Sequence, residues 1–328
     1  MVSQGPGLPA RGMSMQFGRT WIGAALAWLL FGCAHAVPQP AGMQPIIDLH
    51  RHTPWPGDSD DEGLALIQRA LHAHNVVASA LFITGREDTA LYRGDVRTRF
   101  LLSPMFPCPS LTSQRKWCAV ETEGPMPDAL WLDQQLTAGT LGGIGELVFN
   151  YAGIAPDDPA MVDYWALAAR HDVPAFVHIG RGPGPGEGPR RREGCCPDYQ
   201  ADYGNPSLLR PVLQRHPRLR MVLQHAGFDY VDETVSLLRD FPNVHVDMSV
   251  LNSVGPRGLH DASLRRLVSA GFAGRIVLGS DDQDYAPIIE RIEGAAFLTP
   301  KQRRGIYYDN AARFLRLDNA TIAADYGR

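Results

Sequence analysis

Six side chains in this sequence offer metal-type chemistry: His50, His52, Glu146, His178, His225 and Asp281. Imidazole nitrogens and carboxylate oxygens are the donors that a zinc-type ion takes. An ion held by them polarises a carbonyl or phosphoryl oxygen and draws a nucleophile from water near neutral pH. His50 and His52 stand two apart in Ile46-Ile47-Asp48-Leu49-His50-Arg51-His52, so on an extended strand they share one face with Asp48. An H-x-H pair alone is a weak signal, since a polar strand edge produces the same spacing. The ordered set is a strong one. Glu146 follows Gly142-Gly143-Ile144-Gly145, His178 follows Ala175-Phe176-Val177, His225 follows Met221-Val222-Leu223-Gln224, and Asp281 follows Ile276-Val277-Leu278-Gly279-Ser280. Each therefore closes a short apolar run.

Those runs have to bring residues far apart in the chain to one place. They are residues 45–50, 76–83, 100–105, 141–149, 174–179, 219–225, 244–248 and 275–281, eight in all. Apolar on both faces, they suit parallel strands covered by helices, and amphipathic stretches at 158–171, 207–216, 233–240 and 264–270 fall between them. Strand and helix alternating eight times predict an α/β fold, a single-domain (β/α)8 TIM barrel, with the run ends converging on one rim. An open doubly wound sheet is the alternative, but no Gly-rich phosphate loop follows the first run. Asn205-Pro206 and Asp158-Pro159 each place a capping side chain before a proline at a helix start, and a helix over 299–317 closes the domain. Residues 180–205, with Gly-Pro repeats and Arg190-Arg191-Arg192, read as a long loop over the barrel mouth.

The termini and cysteines suggest where such a protein works. Arg11 and Arg19 precede an apolar stretch from Trp21 to Gly32, the order found in a signal peptide, so residues 1–36 read as a targeting segment and 37–44 as a Pro-rich linker to a barrel over 45–328. Cleavage after Ala36 is favoured; Leu30-Phe31-Gly32-Cys33 offers a lipoprotein alternative, with a lipid anchor at Cys33. The expected location is exported, periplasmic or secreted. Losing Cys33 leaves Cys108, Cys118, Cys195 and Cys196, an even number suited to disulfides, with Cys108–Cys118 a plausible staple and connectivity open. A net charge of -4 gives no nucleic-acid footprint, and no apolar stretch has transmembrane length. Oligomeric state is not legible.

The remaining histidines look structural. His72 and His74 face different ways on a helix, and His171 and His216 sit in last helical turns where an imidazolium complements the helix dipole. His245 and Asp247 alternate onto one face of the seventh run. Asp247 reaches the mouth and could support a ligand there, but a plain hydrogen-bonded strand residue is the more ordinary reading.

At these residues the sequence resembles the amidohydrolase superfamily, in the branch that also holds aminocarboxymuconate semialdehyde decarboxylase and lactonases of aromatic catabolism. The resemblance runs from Ile46 to Leu317. It is most specific in Asp48-Leu49-His50-Arg51-His52, in Gly204-Asn205-Pro206 leading through His216-Pro217 to Gln224-His225-Ala226-Gly227, in Gly279-Ser280-Asp281 and in Asn310-Ala311-Ala312-Arg313-Phe314-Leu315. It implies that His50, His52, His178 and Asp281 are metal ligands, and that His225 either holds a second ion or acts as acid and base beside one. Glu146 departs from the single-metal decarboxylases and looks more like the bridging carboxylate of two-metal TatD-type nucleases, which favours two ions over one, most simply Zn2+. The expected activity is hydrolysis of an ester, lactone, amide or phosphoester small molecule, with Asp281 and His225 catalytic. A non-oxidative decarboxylase or lactonase is the alternative, for which Arg181, Arg190, Arg191 and Arg192 would bind substrate carboxylate. A non-catalytic exported metal or ligand binder is the third class.

Overall fold

A computed structural model describes residues 43–53, 60–83, 89, 92, 97–108, 124–184 and 196–328. The expected targeting segment at 1–36, Cys33 within it, most of the expected linker at 37–44, Cys118, Cys195 and Arg190 to Arg192 lie outside the described residues.

Seven parallel strands follow the predicted runs: β1 (Ile46–His52), β2 (Val76–Ile83), β3 (Arg99–Pro104), β4 (Ile144–Leu147), β5 (Ala175–His178), β6 (Met221–Gln224) and β7 (Val244–Val246). They pair in chain order as β1-β2-β3 and β4-β5-β6-β7. Every residue of β1, β2, β4, β5 and β6 is buried, which is why these runs are apolar without alternation. Single parallel bridges join the two sheets, Phe106 with Leu147 on one side, and Val246 with Ile276 and Leu278 with Asp48 on the other. The run at 275–281 is thus no continuous eighth strand. It holds its place through Val277 N–H donating to Val246 O (2.9 Å), Leu49 N–H to Leu278 O (2.9 Å) and Asp281 N–H to His50 O (2.8 Å). With these bridges the strands follow one another around in the order of a (β/α)8 barrel.

The intervening helices are α1 (Asp60–Ala73), α2 (Ala129–Thr137), the short α3 (Phe149–Ala152), α4 (Val162–Arg170), α5 (Arg210–Arg215), α6 (Val231–Asp240), α7 (Arg257–Ser269) and α8 (Tyr285–Gly294). The caps behave as their sequences require. Asp158 accepts from Ala160 N–H (2.8 Å) and Asn205 from Ser207 N–H (2.9 Å), each opening a 3-10 turn on its proline before α4 or α5 begins. The predicted closing helix is present, running as Pro300–Arg304, a π turn at Gly305–Asp309 and Asn310–Leu315 without a gap. From that last segment Asn310 Nδ2 donates to Ala273 O (2.9 Å) and Ile276 O (2.7 Å), tying the helix to the start of the bridge-only run. One expectation fails: Cys108 is buried with a free thiol, so no Cys108–Cys118 staple forms. Cys196 is disulfide-bonded.

Candidate metal centre

The strands deliver the predicted residues to one rim. His50 and His52 come from β1, Glu146 from β4, His178 from the last position of β5, His225 from just beyond β6 and Asp281 from the end of the eighth run. Beneath them Phe82 stands edge-on to His50 (5.5 Å), His52 (5.6 Å) and Phe176 (5.2 Å), a floor with no exposed surface that keeps water from below. Glu146 is the hub. Its Oε2 lies 2.9 Å from His52 Nε2 and 3.9 Å from His50 Nε2, while its Oε1 lies 2.8 Å from His178 Nδ1 and 3.6 Å from His225 Nε2. Each carboxylate oxygen thus addresses its own pair of imidazoles. Asp281 Oδ1 is 3.4 Å from both His50 Nε2 and His52 Nδ1, and its side chain is 23% exposed, open to solvent where the others are closed.

The donor set fits a divalent ion. Donor atoms of His50, His52 and Glu146 lie within 4.8 Å of one another, as do those of Glu146, His178 and His225 and those of His50, His225 and Asp281. His50 Nε2 is buried without a hydrogen-bond partner, a costly state for a nitrogen with nothing to bind. Electrostatics point the same way. Burial works against charge throughout, yet hydrogen bonds from His178, His225 and His52 hold the Glu146 carboxyl well below the usual range. Burial also lowers the histidines, but Asp247 and Asp281 raise His50 to about 9, Asp282 and Glu146 lift His52 well above its ordinary value, and Glu146 raises His225. The acids draw positive charge into this rim as protons on imidazoles, and a cation would supply the same charge with release of those protons.

Around the ring lie residues that sequence periodicity did not assign. Asp247 is fully buried and its Oδ2 accepts from His50 Nδ1 (3.0 Å), so it bears directly on the site, contrary to the plainer strand reading. Asp282 stands 3.1 Å from His52 Nδ1 and takes the His52 N–H on its other oxygen. Ser249 reaches His50, His225 and Asp247. Asp48 shares the face of His50 but turns away, accepting from Ser280 Oγ (2.6 Å) and Tyr285 OH (2.5 Å), and so braces β1 against the eighth run. His225, Asp281 and Asp282 adopt left-handed φ of 59°, 50° and 61°, conformations costly to non-glycine residues and concentrated here where the chain leaves the strands. Gly279 permits the approach: a Cβ there would stand 2.7 Å from Asp247 Oδ2 and 2.8 Å from His50 Cβ. Arg181 lies on the loop after β5, exposed and turned toward Asp202 and Tyr230, with its N–H donating to Asp229 (2.7 Å). Its guanidinium does not point into the cluster's hydrogen bonds. His171 bonds Asp133 on the outer helices, as a structural histidine should.

Comparison with known proteins adds a family model described as amidohydrolase, matching residues 129–317, more than half the chain. That stretch includes Glu146, His178, His225 and Asp281 and begins after His50 and His52. No curated protein matches. Among solved structures the chain is similar to an uncharacterised TIM-barrel protein from Bordetella bronchiseptica, at 17% identity over 87% of this chain and 100% of that one, with a TM-score of 0.56. It is similar to a probable 2-pyrone-4,6-dicarboxylic acid hydrolase from Acinetobacter baumannii with citric acid bound, at 14% identity over 83% and 99%, TM-score 0.57. A 2,6-dihydroxybenzoate decarboxylase from Rhizobium follows at 16% identity over 84% and 100%, TM-score 0.52. At such identities the likeness is one of fold.

Proposed function

The chain belongs to the amidohydrolase family, and from that premise we propose that it is a metal-dependent hydrolase holding two divalent ions at the barrel mouth. One observation carries the reading: the two oxygens of Glu146 face different imidazole pairs, the arrangement a carboxylate needs to serve two cations at once. His50, His52 and Glu146 Oε2 would hold one ion, and Glu146 Oε1, His178 and His225 the other, with Asp281 beside the first. Zn2+ is the simplest occupant for an all-imidazole and carboxylate donor set. When bound, such ions polarise a substrate oxygen and lower the pKa of water at neutral pH.

The chain's own residues supply the rest. Asp281, partly exposed and ionisable, accepts the proton of the attacking water and returns it to the leaving atom. His225, with its Nε2 toward the cluster, would help hold the second ion, whose charge would supply stabilisation for a developing oxyanion. Phe82 and the buried strand ends exclude stray water from beneath. Substrates are carbonyl or phosphoester small molecules. The decarboxylase alternative uses a single-ion site, and a buried Glu146 with four imidazoles around it favours two.

Metal analysis of the purified protein, followed by an activity screen with that metal restored, tests this. About two equivalents of metal and hydrolysis of an ester, lactone, amide or phosphoester are the expected result. Carbon dioxide release from an aromatic acid with one equivalent would favour the decarboxylase instead. Tight metal with no turnover on any of these panels would leave a binding protein.

Export belongs to the same proposal. It rests on the Arg11 and Arg19 flank, the apolar stretch and Ala36 or Cys33; among the described residues no helix is long and apolar enough to cross a membrane. The mass of the mature N-terminus distinguishes cleavage after Ala36 from lipidation at Cys33.

A further inference from the structure

Ser249 lies beyond the strands, fully buried, and its Oγ touches three partners at once: Asp247 Oδ1 at 2.6 Å, His225 Nδ1 at 2.9 Å and His50 Nδ1 at 3.0 Å. A hydroxyl has one hydrogen and two acceptor sites. Asp247 takes the hydroxyl hydrogen, because the 2.6 Å contact is the shortest of the three and ends on a carboxylate oxygen that other donors also address. It also takes backbone N–H groups from His225 (3.0 Å) and Ser249 (2.9 Å) on the same oxygen. The serine lone pairs are then free to accept. His50 Nδ1–H donates to Asp247 Oδ2 at 3.0 Å and shares Ser249 Oγ; His225 Nδ1–H donates to Ser249 Oγ, with the Ser249 carbonyl farther off at 3.3 Å. Both rings must therefore carry hydrogen on Nδ1 and turn Nε2 to the rim, the nitrogen left to serve a cation.

We infer that Ser249 is a positioning residue that ties the two imidazoles to one carboxylate and so fixes which nitrogen each presents to the cation. His50 has Asp247 directly; His225 has no carboxylate on Nδ1 and reaches Asp247 only through the serine. His52, on the other side of the ring, is set independently by Asp282. Removing the hydroxyl thus loosens His225 most. The inference rests on the metal-site reading given above.

The test measures Zn2+ affinity by chelator competition in the intact protein and in Ser249→Ala, Ser249→Thr and Ser249→Val, with the His225 Nδ1–H proton followed by NMR in Zn2+-loaded, 15N-histidine-labelled protein. Removing an outer hydrogen-bond partner of a metal-binding histidine typically costs about 10–100-fold in affinity. S249A and S249V should show that loss together with a fading of the His225 Nδ1–H signal, while S249T, which keeps the hydroxyl, stays within about threefold of the native protein. If S249A does not fold, the near-isosteric Thr and Val pair still separates hydroxyl from volume. Affinity of S249A within about twofold of native, or equal losses in S249T and S249V, overturns the role of the serine alone. If the native protein takes up no Zn2+, the site reading fails and takes this inference with it, an outcome distinct from the first.

Discussion

The imidazoles at the mouth of the barrel and the imidazole of His245, against its closing helix, are driven in opposite directions. His50 is raised to about 9 by Asp247 and Asp281 against its burial. His245, two residues before Asp247 in the chain, is lowered to about 4 by burial first and then by Arg275 and Arg313, its ring packed on Phe314. The same contrast holds for the acids. Glu146 is surrounded by imidazoles, which can give up their protons, whereas buried Asp325 is held by Arg99 through two 2.7 Å bonds and by Tyr308 OH at 2.7 Å, donors that keep theirs. A carboxylate closed off by guanidinium and phenol stabilises the fold. One ringed by imidazoles leaves room to exchange protons for a cation.

That division predicts where each substitution should register. The largest effect belongs at the mouth: Asp281→Asn should cut turnover by about 10²–10⁴-fold, roughly 3–5 kcal/mol of barrier, while metal content and thermal midpoint stay native. Native turnover in this variant would remove Asp281 from the chemistry. His245 comes next and acts on stability alone. Its folded value lies below the ordinary 6.5, so the unfolded chain binds the proton first. Its contribution is complete above about pH 6.5 and is lost as pH falls toward about 4, by at most about 3 kcal/mol. His245→Gln should flatten that part of a denaturation-versus-pH profile; an unchanged profile would show that burial and the two arginines do not suppress protonation of this ring.

Smaller effects sharpen the acid comparison. Asp325→Ala strands Arg99 and Tyr308, but Arg99 is 39% exposed and can turn to water, so the loss should be about 2 kcal/mol rather than the 3–5 of a wholly buried pair. Turnover per folded molecule should not change, which chemical denaturation alongside an activity assay would check. Tyr308→Phe removes one bond of the same network and should cost about 1 kcal/mol. A fall in turnover with either variant would erase the distinction drawn between the two ends.

How far the sequence reached follows from where backbone periodicity holds. Strand runs were legible because both of their faces are buried, and a ligand at a strand's end inherits the strand's register. The convergence of His50, His52, Glu146 and His178 on one rim was legible that way. Beyond the strand ends the backbone turns left-handed at His225, Asp281 and Asp282, and a period of two no longer says where a side chain goes. His225 and Asp281 were legible by their types and family motifs; Asp282 and Ser249 carried no such signal and were missed. Asp247 was legible as an alternating strand residue reaching the mouth, but its partner on β1 is 197 positions away. The closing helix over 299–317 was legible too, although nothing in its amphipathic pattern marks the π turn within it. The staple at Cys108 failed because spacing alone does not say whether a thiol is paired or packed.

Asn310 gives that closing helix more than a packing role. The eighth run touches its neighbours by isolated bridges, and the amide of Asn310 grips two carbonyls at its beginning. It works as a keystone, the last piece set into an arch whose final stone is too slight to stand unaided. Asp281 hangs from the far end of that stone, so the soundness of the mouth is underwritten from the opposite end of the barrel, by a residue that never comes near the reaction.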